Sequence, residues 1–157
     1  MIPETVMGLP FHVLINHAAV VLVPLAAVGV IAIALVPAWR ERYGTLVAGA
    51  AVIASITVFI TVLSGEAFEE SQQEKGAIGG PIQDRVDEHA AFANMLRWYV
   101  LALAIFAVAL VLLVRRGAAA NVIMIVAVIA VVAAGASIYQ VVRTGHSGST
   151  AVWNPTG

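Results

Sequence analysis

Four long apolar stretches constrain this chain more than any other feature of its 157 residues. About 20 consecutive apolar residues are enough for a helix to span a bilayer, and each stretch reaches that length. They lie at about residues 9–36, 44–65, 89–114 and 118–142. Charged residues make up only 11% of the chain, against roughly 25% in soluble domains. The pattern predicts an all-α fold, a single four-helix bundle domain integral to a membrane.

The connections between the stretches predict an orientation. Two of them, Pro37–Tyr43 and Arg115–Gly117, are short and basic, and such connections face the cytoplasm. The middle connection, residues 66–88, is long and holds seven of the nine acidic residues. We therefore expect it to be extracytoplasmic, with both termini on the same side.

Composition excludes several classes of function. A net charge of −1 argues against a surface for nucleic acid. The absence of cysteine excludes disulfides, thiolate catalysis and iron–sulfur ligation. The N-terminus has no basic leader followed by a cleavage site, so we expect the first apolar segment to be retained. No period of 20–50 residues indicates a repeat array.

All four histidines fall on the predicted extracytoplasmic side: His12 and His17 early in the first stretch, His89 at the start of the third, and His146 just past the end of the fourth. Ionisable groups in membrane segments are costly, which favours a functional reason for the set. The simpler alternative for any one histidine is an interfacial residue that only forms hydrogen bonds.

Ligation of haem b is the first chemical interpretation, since bundles hold cofactors between facing helices. His17 is the deepest candidate ligand, and it lies about 140° around the helix from His12. His89 and His146 are candidate partners from other helices, and Arg97 is a candidate partner for a haem propionate. The alternative for Arg97 is a side chain that snorkels to the surface.

A transition-metal site is the second interpretation. Glu66 and Glu70 share a helix face at i, i+4. With His89, or with another of the histidines, they offer a mixed ligand set for zinc, copper or iron. The alternative is that both acids are simply solvated.

Hydrolysis through Ser147 is rejected. Gly145-His146-Ser147-Gly148 misses the nucleophile-elbow pattern, and that elbow follows a strand, not a helix. The glycines and serines instead predict a flexible turn that leads the chain out of the fourth helix.

The chain resembles the bacterial membrane family called domain of unknown function 2231. The resemblance rests on two histidines five positions apart (His12 and His17) followed by Pro24, on His89 at the start of the third span, and on the glycine-rich segment around His146. It covers nearly the whole chain. Phenylalanine-histidine stands where relatives often have histidine-proline, and Asn16 precedes His17.

The resemblance implies four spans in the bacterial cytoplasmic membrane. Relatives are often joined to, or encoded beside, Rieske-type domains, which implies membrane redox work and a Rieske-type or other redox partner. We therefore expect an electron-transfer or accessory protein that binds haem b, more than a turnover enzyme. The alternatives are a metal-binding protein or a purely structural subunit of a respiratory-type complex. The lipid bilayer is a partner in each case, and the sequence also allows a homo-oligomer.

Overall fold

The computed structural model describes residue 3 and residues 5–154. Four α-helices make up most of that part of the chain: α1 (Phe11–Leu35), α2 (Pro37–Glu74), α3 (Pro81–Arg115) and α4 (Ala120–Trp153). All four are long and apolar enough to cross a membrane. The predicted all-α fold with four spans is confirmed.

The helices form an up-and-down bundle. Each packs against the helices before and after it in the chain, and α4 also packs against α1, whereas α1 and α3 lie diagonally and hardly touch. The N-terminus of α1 and the C-terminus of α4 therefore share one end of the bundle. We call this the histidine end, because His12 and His89 lie there.

A small β-hairpin precedes α1 at the histidine end. Strands β1 (Thr5–Val6) and β2 (Leu9–Pro10) pair antiparallel. The two turn residues both have positive φ, 52° at Met7 and 80° at Gly8, which is the backbone of a type I′ turn. The predicted first span included residues 9 and 10. The structure assigns these residues to the hairpin instead.

The connection between α2 and α3 is a short turn between two helical ends, as the glycine-rich residues 76–81 predict. Helix occupies residues 66–74 and 81–88, so residues 75–80 alone link the two helices. Pro81 occupies the first turn of α3, where a missing N–H costs nothing. Side chains tie the two helical ends together, since Gln83 Nε2 donates to Glu69 Oε1 at 2.8 Å. The acidic stretch is thus mostly an extension of the bundle.

The predicted flexible turn after the fourth span is wrong. Helix α4 continues through Gly145 and Gly148 and ends only at Trp153. Hydroxyl groups in these turns bond back to the preceding turn, as Thr144 Oγ1 donates to the carbonyl of Gln140. Packing against α3 overrides the low helix propensity of glycine here.

The two halves of the bundle repeat each other. A shift of 77 positions takes His12 to His89, and the same shift superposes the buried residues of α1 on those of α3. All seven buried residues of α1 then fall on the seven of α3: Ala19 on Leu96, Val23 on Val100, Ala26 on Leu103, Ala27 on Ala104, Val30 on Ala107, Ile33 on Leu110 and Ala34 on Val111.

A similar relation links α2 and α4. A shift of 83 positions takes Thr61 to Thr144, and it places seven buried residues of α2 on buried residues of α4. Equal burial patterns in equal positions indicate two helical hairpins related by a pseudo-twofold axis along the bundle. Parallel repeats of this kind are a known design of membrane proteins.

Candidate functional site

His12 is anchored to the neighbouring helix through one ring nitrogen. Its Nδ1 lies 3.1 Å from the carbonyl oxygen of Thr61 and 3.2 Å from Ser64 Oγ, both on α2. A carbonyl oxygen only accepts, so this contact places the proton of the neutral ring on Nδ1. The Nε2 atom is then left with a free lone pair.

His89 repeats the arrangement in the second half. Its Nδ1 lies 3.0 Å from the carbonyl oxygen of Thr144 and 3.2 Å from Ser147 Oγ on α4. Ser147 Oγ itself donates to that carbonyl at 3.0 Å, as Ser64 Oγ does to Thr61 at 2.9 Å. The two imidazoles therefore have the same partners, the same protonated nitrogen and the same free nitrogen.

A glycine makes room for each ring. A Cβ atom on Gly65 would lie 3.0 Å from His12 Cε1, and one on Gly148 would lie 2.8 Å from His89 Cε1. A contact of 2.8 Å is too short for carbon atoms, and one of 3.0 Å is tight enough that the ring would have to shift by a few tenths of an ångström. Thr-x-x-Ser-Gly thus forms one unit in each half: the first residue gives the carbonyl, the fourth the hydroxyl and the fifth the space.

Both histidines point toward the interior of the bundle at the same depth. Val30 and Ala107 lie 18 positions after His12 and His89, which is five full helical turns, and both are fully buried. Each imidazole is half-buried. The two rings therefore lie at the same end of the bundle, on diagonally placed helices.

A cavity of about 160 Å³ lies against His12. The hairpin residues Thr5 and Pro10 form part of its wall, and Ser71 and Lys75 of α2 form another part. The Phe68 ring stacks on the His12 ring, with centroids 6.0 Å apart and planes at 15°.

The other two predicted histidine ligands lie outside this pair. His17 is exposed, and its Nδ1 bonds the carbonyl of Val13 on its own helix at 2.6 Å. His146 is exposed on the face of α4 opposite the buried residues. The structure does not bring either ring toward His12 or His89.

The predicted charged residues are also apart from the pair. Glu66 and Glu70 are both exposed. No group of three or more His, Asp or Glu side chains able to hold a metal ion occurs in the described part of the chain. Arg97 lies eight residues deeper in the bundle than His89, and its guanidinium stacks on Trp98 with Cζ 5.3 Å from the ring centroid.

Sequence reasoning missed the elements that define this site. It identified His12 and His89 among four candidates but not their partners, Thr61, Ser64, Thr144 and Ser147. The signal was present, since Thr-Val-Leu-Ser-Gly at residues 61–65 and Thr-Gly-His-Ser-Gly at residues 144–148 share three of five residues. The apolar residues around the two copies differ, and the glycines of the second copy predict a loop, so the repeat is not evident from the sequence alone.

Fold and site together define a four-span membrane protein with a duplicated helical hairpin and one anchored imidazole in each half. The chain belongs to the family described as predicted membrane protein (DUF2231), which matches residues 8–156. The match includes both helical hairpins and all four histidines, so the resemblance noted in the sequence is confirmed. No curated protein and no solved structure matches the chain.

Proposed function

We propose that this protein is a membrane electron-transfer protein and that His12 and His89 hold its redox centre, haem b. The observation that carries the proposal is the matched pair of imidazoles, each with Nδ1 bound to a carbonyl oxygen. Histidines that ligate metals usually donate their other ring N–H to such an acceptor, which fixes the tautomer and orients the ring. His12 and His89 both have this partner and both have Nε2 free.

The number of ligands favours haem over a bare metal ion. A porphyrin already supplies four nitrogens, so two imidazoles complete the coordination of its iron. Zinc sites need three or four protein ligands, and no third His, Asp or Glu joins the pair among the described residues. Haem iron with two such ligands takes up and releases single electrons. The carbonyls of Thr61 and Thr144 would hold the rings in place and raise their basicity as ligands.

Arg97 is not part of this proposal. It lies roughly 12 Å deeper along α3 than His89. The imidazoles that would hold a haem are thus about two helical turns away from its guanidinium, which stacks on the exposed Trp98 instead.

The test is the absorption spectrum of protein made with a supply of haem and purified in detergent. The reduced form should show a sharp Soret band and split α and β bands. His12→Ala and His89→Ala should each remove the spectrum of a six-coordinate haem. His17→Ala and His146→Ala are matched controls, since they delete exposed imidazoles from the same helices as His12 and Ser147, and both should leave the spectrum intact.

Two results would contradict the proposal. Colourless protein that stays folded after exposure to haem would exclude haem binding, and the histidines would then serve only to join the helices. A spectrum lost in His17→Ala but kept in His12→Ala would move the centre to the outer face of α1.

A further inference from the structure

Arg97 is an arginine whose charge no residue in the described part of the chain neutralises. Its Nε atom is buried and has no hydrogen-bond partner there. The single ion pair found in the described residues joins Arg85 and Glu88 and does not involve it. A buried donor without a partner is destabilising, and the guanidinium that carries this donor has no carboxylate partner in the described residues.

The position of Arg97 on α3 directs it to the seam with α2. Val100, three residues on, is fully buried, whereas Trp98 is exposed and packs edge-on against Phe59 of α2 at 6.0 Å. Arg97 lies between these two directions around the helix. Arg97 as a whole is only half-buried, so its side chain is partly open to a molecule on the outer surface of the bundle.

The depth of Arg97 matches the edge of the hydrocarbon layer. Eighteen residues separate Arg97 from Arg115 at the far end of α3, which corresponds to roughly 27 Å of helix. A hydrocarbon core is about 30 Å thick. The guanidinium therefore lies just inside the layer where the phosphates of lipid headgroups begin, and Trp98 suits the aromatic belt at that boundary.

We infer that Arg97 binds the phosphate of one anionic phospholipid, whose acyl chains lie along the α2–α3 seam. Guanidinium and phosphate match as bidentate partners, and the pair strengthens where water is excluded. The Trp98 ring holds the guanidinium from one side and leaves its N–H edge for the phosphate oxygens. This inference does not rest on the haem proposal.

Native mass spectrometry of the full-length protein tests the inference. Delipidated protein is titrated with phosphatidylglycerol or with phosphatidylcholine, and bound lipid is counted. We expect wild type to bind one phosphatidylglycerol about tenfold more tightly than Arg97→Gln does, the loss expected for a charge-assisted hydrogen bond. Phosphatidylcholine should bind wild type no better than phosphatidylglycerol binds the variant. Arg97→Lys keeps the charge and should recover part of the affinity.

Arg143 provides the matched control. It also lies near the histidine end and also stacks on aromatic rings, with Cζ 4.0 Å from the Phe92 centroid, but its side chain is exposed. Arg143→Gln should bind phosphatidylglycerol as wild type does. Equal losses in both variants would show a general charge effect and overturn the inference.

Other outcomes also decide the matter. If wild type does not distinguish the two lipids, the inference is wrong, and this comparison holds even if Arg97→Gln fails to fold. Displacement of the lipid by inorganic phosphate at similar concentration would show a simple anion site and no lipid site. Loss of a haem spectrum in Arg97→Gln with lipid binding unchanged would assign Arg97 to a cofactor carboxylate, against the inference.

Discussion

At the scale of single residues, the close contact between a glycine and an imidazole leaves no room for a larger side chain. Gly148 and Gly145 lie one turn apart on α4, but only Gly148 touches His89. Nothing lies within 4 Å of a Cβ placed on Gly145. Substitutions at Gly145 and Gly148 therefore separate the steric role of a glycine from its effect on helix propensity.

Gly148→Ala should therefore destabilise the protein and Gly145→Ala should not. The added methyl on residue 148 meets the His89 ring, and overpacking of this kind costs about 1–3 kcal/mol. Alanine at residue 145 should instead add up to about 1 kcal/mol of stability, because alanine favours helix over glycine. Thermal unfolding in one detergent measures both. Equal shifts in the two variants would contradict the predicted packing of His89.

The hydroxyl of Ser64 contributes less than the carbonyl beside it. In Ser64→Ala, His12 Nδ1 keeps its contact with Thr61 and loses only the second partner. We expect a loss of about 0.5–1.5 kcal/mol in the free energy of unfolding, typical of one hydrogen bond. Ser147→Ala should give a similar loss at His89. A large difference between the two would show that the halves do not support their histidines equally.

At the scale of elements, the sequence predicted the number and type of helices but not where two of them end. Apolar length identifies a span directly. The glycines at residues 145 and 148 favour a loop locally, yet that stretch is helical, and the apolar span of α2 ends at residue 65 although its helix continues to residue 74. Contacts with other helices determine where a helix ends, and the sequence of one helix does not show which residues contact it.

The same limit applies to the histidines. Depth in the sequence favours His17 as a ligand. Its environment, however, depends on its direction around α1, and in the structure it faces outward. The apolar stretches are too uniform for the sequence to show which face is buried. The pairing of His12 with Ser64 could therefore not be predicted from depth alone.

Hydrogen exchange tests the revised end of α4. Amides of residues 144–150 should exchange slowly, because they belong to a continuous helix that packs on α3 and is bonded internally, as by Thr150 Oγ1 to the carbonyl of His146. A flexible exit turn would exchange at the rate of free chain. Mass spectrometry of peptides from this segment, compared with peptides from residues 75–80, distinguishes the two.

At the scale of the whole molecule, each half depends on the other through two contacts, α2 with α3 and α4 with α1. The covalent link between the halves is only residues 75–80, where Gly76 and Gly80 have positive φ. None of the residues of the buried hydrophobic core lies in this link. The two hairpins are thus held together by packing more than by the chain.

A break in this link should leave the bundle assembled. Chains 1–77 and 78–157, expressed together, should purify as one complex, since an open connection removes only a modest entropic advantage. A break within α2 at residue 61 would be the matched control, because it cuts the turn that anchors His12. Independent migration of the two fragments in the first case would show that packing alone does not hold the halves.

A unit of two spans returns the chain to the side of the membrane from which it started. A second unit joined in tandem must therefore insert in the same orientation as the first, whatever the charges in its loops. The surroundings of His12 and His89 therefore both lie at the histidine end, and neither hairpin has to insert in the reverse orientation. With an odd number of spans per unit the two imidazoles would lie on opposite sides of the bilayer. The even count of spans places both imidazoles at the same end of the bundle.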